Sequence, residues 1–279
     1  MRLFFIYLVF FGFLVNPIIT DPKLNDLKIN HLNGNIKSLL ETRYTVSGKG
    51  KNIEKNKVFY QKLTLFDQYG YTTETVLFQN GTEYLISRYI FDIEGKPSEM
   101  NQYLKDKTLN MNVIYKYNKD TLRSEAHFTW SENRIFDDIC DYYDYHFDIL
   151  QNQPFNLVLY QYEYRGYCTE EKFLKPDGGL SFKFNSKYDF RGNKLESAYI
   201  KGTGNLSWIT KYTYDRNNNL IESRVLKDNR VAVQSTYKHQ FDEKKNWISR
   251  LEEREVFVNI LTAGLEQSDI LTERIFEYY

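Results

Sequence analysis

An aromatic residue followed by an acidic or amide residue recurs along this chain. It stands at Phe66-Asp67, Phe91-Asp92, Tyr117-Asn118, Tyr143-Asp144, Tyr162-Glu163, Tyr188-Asp189, Tyr214-Asp215 and Phe241-Asp242, at intervals of 25, 26, 26, 19, 26, 26 and 27 residues. A period of that size marks a repeat architecture, in which each unit is one supersecondary element packed on its neighbours. Further columns agree. Four residues after the aromatic stand Gly70, Gly95, Gly166, Gly192 and Asn218, and five after it Asn193, Asn219 and Asn246. Eight after it stand Glu74, Glu99, Glu125, Glu170, Glu196 and Glu222, and two before it Tyr89, Tyr115, Tyr160 and Tyr212. The Tyr143 unit, with the short interval, departs from these columns.

Each unit reads as a β-hairpin. Lys211-Tyr212-Thr213-Tyr214 alternates polar and aromatic residues, so both rings lie on one face of a strand. Asp215-Arg-Asn-Asn-Asn219 is turn chemistry, with Gly or Asn placed where the backbone needs positive φ. Leu220 onward resumes as a strand. A second, looser turn at Lys227-Asp-Asn-Arg230 or Gln79-Asn-Gly81 completes the unit. Composition agrees: Tyr 24, Phe 20 and Trp 3 make 17% of the chain aromatic, and such side chains suit a pleated surface. The expected fold is all-β, an antiparallel meander of about eight to nine 26-residue hairpins with roughly 16 to 18 strands. Accumulated twist should curl so many strands into an open sheet or a partial barrel. The terminal stretches 36–46 and 270–279 are then expected to be its edges.

The pattern in Tyr188-Asp-Phe-Arg-Gly-Asn-Lys-Leu195 and Tyr214-Asp-Arg-Asn-Asn-Asn-Leu-Ile221 resembles the tyrosine–aspartate repeats of the Rhs/YD type. More closely it is similar to short secreted bacterial proteins built only of such repeats, as is the ending Thr272-Glu-Arg-Ile-Phe-Glu-Tyr-Tyr279. The resemblance covers residues 34–279 and implies hairpin architecture rather than an activity. The shell that large Rhs proteins build around a toxin domain does not carry over, because this chain is too short to enclose one.

At the N-terminus, Arg2 precedes the apolar run Leu3–Val15, which Pro17 and Asp21-Pro22 end. That is the shape of a secretory signal peptide, and the run is short for a span of roughly 20 residues. The expected organisation is a signal peptide over 1–20, a linker over 21–33 and one hairpin-repeat domain over 34–279, irregular at about 137–158. The expected location is secreted, periplasmic or cell-surface, with no membrane span in the mature chain. With 37 basic and 37 acidic side chains the formal charge is +0, which argues against nucleic acid as partner.

Candidate site residues are few. The Glu column is expected to share a face with the aromatics and to serve the repeat itself, each Glu meeting a Tyr hydroxyl or a neighbouring Lys or Arg. Asp144, His146 and Asp148 would line one face of a strand where the repeat fails, a spacing that could hold a ligand, though they stand without the Gly of a calcium loop. Trp130, Trp208 and Trp247 could form a sugar-stacking platform or pack in the core. Regular strands would point Cys140 and Cys168 to opposite faces, and an irregular turn near 147–155 could reset that parity, so their disulfide stays open. Gly-x-Ser-x-Gly, His-Glu-x-x-His, a phosphate-cradling Gly loop and Cys-x-x-Cys are all absent from the sequence. No cofactor, metal or catalytic residue is assigned. The expected function is a non-catalytic scaffold or binding surface for an envelope protein or glycan. The alternatives are a carbohydrate-active hydrolase using a carboxylate pair and a small-ligand carrier in a closed barrel.

Overall fold

The turn after each aromatic explains the repeat's columns. Asp189 N–H donates to Asn193 O at 2.9 Å and Gly192 N–H to Asp189 O at 3.2 Å. Asp189 Oδ1 then accepts from the N–H groups of Arg191 at 2.8 Å and Asn193 at 2.9 Å. Asp215 repeats this with Asn217 and Asn219 at 2.8 and 2.9 Å. Asp67 repeats it with Tyr69 and Tyr71 at 2.8 and 3.0 Å. The residue four after the aromatic sits at positive φ, +89° at Gly192 and +65° at Asn218, a region Gly and Asn enter at little cost. The Asp is there as an acceptor for backbone donors that the turn would otherwise leave unpaired.

The computed structural model describes residues 25–48, 52–93, 96–118, 121–131, 155–257 and 269–279. Among the described residues, the short helix α1 (Asp26–Ile29) is followed by sixteen strands: β1 (Ile36–Ser47), β2 (Glu54–Phe66), β3 (Thr72–Gln79), β4 (Thr82–Phe91), β5 (Pro97–Leu104), β6 (Leu109–Asn118), β7 (Arg123–Trp130) and β8 (Leu157–Tyr162). They continue as β9 (Cys168–Leu174), β10 (Leu180–Tyr188), β11 (Lys194–Lys201), β12 (Leu206–Tyr214), β13 (Leu220–Lys227), β14 (Arg230–Phe241), β15 (Trp247–Val256) and β16 (Asp269–Tyr278). Each pairs antiparallel with its sequence neighbour, and β16 returns to β1.

That last pairing corrects the expected open curled sheet or partial barrel: the sheet is a closed barrel. β1 and β16 match over ten residue pairs, from Ile36↔Tyr278 to Val46↔Asp269. Tyr279 N–H also donates to Asn35 O at 3.0 Å. The stretches expected to be edges therefore satisfy each other's backbone groups, and closure removes the edge problem altogether.

The expected placement of the Glu column on the aromatic face is also overturned. A bulge follows the aromatic: Tyr188 pairs Lys194 while Lys187 pairs Glu196, and Tyr214 pairs Leu220 while Thr213 pairs Glu222. One extra residue in the turn-side strand shifts parity by one, which moves every later side chain to the opposite face. Aromatics thus turn inward and the Glu column outward. The inner wall over β5–β12 is a cluster including Val113, Tyr115, Val158, Tyr160, Phe173, Phe182, Tyr199 and Trp208.

The segment 25–33 reaches over one mouth of the barrel. Leu27 and Leu32 pack with Ile36, Leu39 and Phe66. Asp26 Oδ2 accepts the Thr72 N–H at 2.6 Å, beside the β2–β3 turn. Asn33 N–H donates to Asn246 Oδ1 at 2.7 Å, at the β14–β15 turn. His31 lies within electrostatic reach of Asp189, at the β10–β11 turn. At the opposite mouth the β1–β2, β7–β8 and β15–β16 connections run partly outside the described residues.

Candidate functional site: the barrel lumen

The outer wall is a ladder of paired charges. Glu74 meets Arg88 at 2.8 Å, Glu125 meets His127 at 2.8 Å and Glu196 meets Lys187 at 2.9 Å. Glu170 lies between Lys172 at 2.7 Å and Lys183 at 2.9 Å, and Glu222 meets Arg224 at 2.8 Å. Glu99 accepts from Asn101 at 2.8 Å and Asn112 at 2.7 Å. The column thus meets cations and amides of its own and adjoining strands, not Tyr hydroxyls, and it converges on no cleft.

The inner wall has two arcs. The aromatic arc holds Trp208, stacked on Tyr199 with centroids 4.0 Å apart, and Trp130, whose indole N–H donates to Phe155 O at 3.1 Å. The Tyr115 and Tyr160 hydroxyls in this arc are buried and make no hydrogen bond among the described residues. Burial pushes both phenols well above their usual range. Glu171 also faces inward; burial raises its carboxyl, and Lys194 opposes the shift. Cys168 is buried here, its thiol donating to Glu170 O at 3.3 Å.

The second arc, over β14, β15, β16, β1 and β2, is charged. Glu41 accepts from Arg43 Nε at 3.0 Å and Nη2 at 2.7 Å, and from Arg274 Nε at 3.0 Å. Burial pushes Glu41 up, but Arg43, Arg274 and Arg250 outweigh it and hold the carboxyl well below the usual carboxylate range. Lys62, directly across from Glu41 in register, is pushed down to about 8 by burial, with Glu41 opposing and Arg43 and Arg274 adding. Glu252 pairs with Arg254 at 2.7 Å and accepts the Ser235 hydroxyl at 2.9 Å. Trp247 belongs to this arc, with the Arg274 guanidinium 3.4 Å and the Arg250 guanidinium 4.9 Å from its ring. Beside it His239 is pushed down to about 4 by burial, then by Arg250 and Arg274. Glu41, Arg43 and Arg274 keep 12–15% of their side-chain surface open although they point into the barrel. They are therefore partly accessible to solvent from inside the barrel.

The three Trp side chains all face inward, but they are divided between the two arcs and form no single platform. Asp144, His146, Asp148 and Cys140 lie outside the described residues. The charged arc was missed from sequence. Its members are far apart in the chain, and each reads locally as an ordinary strand charge. The one available signal was Arg or Lys standing at the parity otherwise held by inward aromatics, as Arg250 and Arg274 do.

No protein-family profile matches the chain, and no curated protein does. Among solved structures the barrel is similar to a porin-like protein from Bacteroides uniformis, with a TM-score of 0.51 and 9% identity over 87% of this chain and 98% of that one. The likeness is one of fold. A porin-like protein from Bacteroides vulgatus has a TM-score of 0.24 at 7% identity over 88% of this chain and 99% of that one. A TcdB2-TccC3 structure has 0.19 at 13% identity over 69% and 11%. Both scores are too low to relate the folds.

Proposed function

We propose that this chain is a non-catalytic, water-soluble barrel of a secreted or envelope compartment that holds a small ligand in its lumen. The observation that carries the reading is the contrast between the walls. Outside, the Glu column is paired rung by rung. Inside, the Tyr115 and Tyr160 hydroxyls and the Arg250 Nε are buried without a hydrogen bond among the described residues. Buried polar groups are ordinarily satisfied by protein, water or ligand. A barrel of this strand number can enclose a lumen.

The outer wall also speaks against a lipid-facing barrel. Such a barrel needs an apolar outward band, and a cation at the bilayer midplane costs about 2–4 kcal/mol. Here Lys172, Lys183, Lys187 and Lys238 point outward, Lys187 and Lys238 with 73% and 65% of their side chains exposed. The N-terminal apolar run supports export as a signal peptide, and 34–279 is taken as one repeat domain of tyrosine–aspartate type. A scaffold or outer binding surface for protein or glycan is the second reading; the paired ladder gives it less unspent polar chemistry. Hydrolysis is disfavoured, because a carboxylate pair in a cleft is required and the regular carboxylates face outward and are neutralised.

The test is titration of the detergent-free mature protein with N-phenyl-1-naphthylamine, a neutral aromatic probe. Saturable binding with energy transfer from tryptophan supports a lumenal ligand site. Absence of saturable binding, or aggregation without detergent, refutes it.

A further inference from the structure

Resting on the lumenal reading, the geometry points to an oxyanion-binding site on the charged arc, centred on Arg250, that takes the carboxylate or phosphate of a small molecule. Three observations carry it. First, Arg250 is 7% exposed, and its Nε makes no hydrogen bond among the described residues. Its guanidinium packs 4.9 Å from the Trp247 ring and 5.3 Å from the Tyr237 ring, with no carboxylate in ion-pair contact among the described residues. A buried guanidinium is expensive to leave unpaired, and the planar fork matches a carboxylate or phosphate in two hydrogen bonds.

Second, the described part of the arc is rich in cations. Arg43, Lys62, Arg250, Arg254 and Arg274 lie with Asp26, Glu41 and Glu252 among the described buried groups that interact there, so cations outnumber carboxylates in that set. The carboxylates are already committed: Glu41 to Arg43 and Arg274, Glu252 to Arg254, and Asp26 to the Thr72 backbone. Arg250 feels the charge of Glu41 and Glu252 but forms an ion pair with neither, so an anion from solution would supply the direct partner its fork lacks among the described residues. Third, Glu41, Arg43 and Arg274 keep part of their side-chain surface accessible inside the barrel, so solvent reaches the arc to which Arg250 belongs. Trp247, Tyr237 and His239 flank the position, which suits an anion carried on a ring or other flat body.

The experiment uses the detergent-free mature protein and four probes followed by calorimetry and thermal shift: inorganic phosphate, benzoate, benzamide as the neutral isostere, and N-phenyl-1-naphthylamine. The wild type should bind benzoate or phosphate and ignore benzamide. Preference for phosphate assigns a phosphate ester, and preference for benzoate assigns a carboxylic acid. Arg250→Met should weaken the anion at least about tenfold. It should also raise the melting temperature of the ligand-free protein, because it removes a buried unpaired charge. A purely structural Arg250, held by its two rings, predicts the reverse: a lower melting temperature and unchanged anion affinity. If Arg250→Met does not fold, Arg250→Lys keeps the charge but loses the fork, and should retain weaker binding with a changed phosphate-to-benzoate preference. Equal anion affinity in Arg250→Lys and wild type overturns the site. If the neutral naphthylamine binds while no anion does, the oxyanion site is refuted and the lumenal reading stands. If nothing binds, both fall.

Discussion

Replacing Glu41 by Gln isolates what the charged arc contributes to stability. The substitution keeps shape and one acceptor oxygen but removes the charge on which Arg43 and Arg274 converge through three hydrogen bonds of 3.0, 2.7 and 3.0 Å. Lys62 and Arg250 would then face those two guanidinium groups with no carboxylate between them. Breaking a buried pair by neutralising one partner costs about 3–5 kcal/mol. Because Gln still accepts one bond, about 3 kcal/mol is expected, a fall in melting temperature of roughly 6–12 °C for a domain of this size. Urea denaturation followed by fluorescence of the inward-facing Trp130, Trp208 and Trp247 reads the difference. The pH dependence supplies the sign. The folded-state pKa of Glu41 is depressed below its ordinary 4.5. Its contribution is therefore fully present above the unfolded value and is lost as pH falls from there toward the folded one. Wild type and Glu41→Gln should differ most near pH 7 and converge below about pH 4.5. A difference under about 0.5 kcal/mol at neutral pH, or one that does not change with pH, would show that lumenal water already screens the arc and would refute the reasoning.

Glu171 should behave in the opposite sense. Its folded-state pKa is raised from 4.5 by burial, so the carboxyl weakens the fold as pH rises above that value; Glu171→Gln should be more stable than wild type at pH 7 and equal to it at pH 4 in the same assay. Asp215→Ala removes the acceptor for Asn217 N–H at 2.8 Å and Asn219 N–H at 2.9 Å. It should cost about 1–2 kcal/mol in urea denaturation, and a neutral result would deny the Asp its turn role. Gly192→Ala and Gly81→Ala both place a Cβ at positive φ, but only at Gly192 would that atom run into the Tyr167 hydroxyl, while at Gly81 it meets nothing within 4 Å. The Gly192 variant should therefore lose more stability than the Gly81 variant, the difference reporting the displacement of Tyr167 from its stack on Tyr188.

What was legible in the sequence is what a short stretch of chain decides. Asp at the first turn position and Gly or Asn three later specify one hairpin geometry, and its recurrence from Phe66 to Phe241 specifies an antiparallel meander. Backbone donors within five residues of each other settle those features, so no distant contact is needed. Two outcomes belong to the tertiary structure. Closure depends on the match of β1 to β16, whose paired residues stand more than 220 positions apart, and no local pattern records whether accumulated twist brings two ends into register. The lumen depends on it in turn. Glu41, Lys62, Arg250 and Arg274 come from four strands at the two ends of the chain, and they become one buried electrostatic unit only when the barrel shuts. The bulge that follows the aromatic in six of the described hairpins then decides which side each residue faces: one added residue sends the conspicuous Glu column out to the solvent and leaves the inconspicuous arginines inside, where low dielectric and lost hydration make their charges matter.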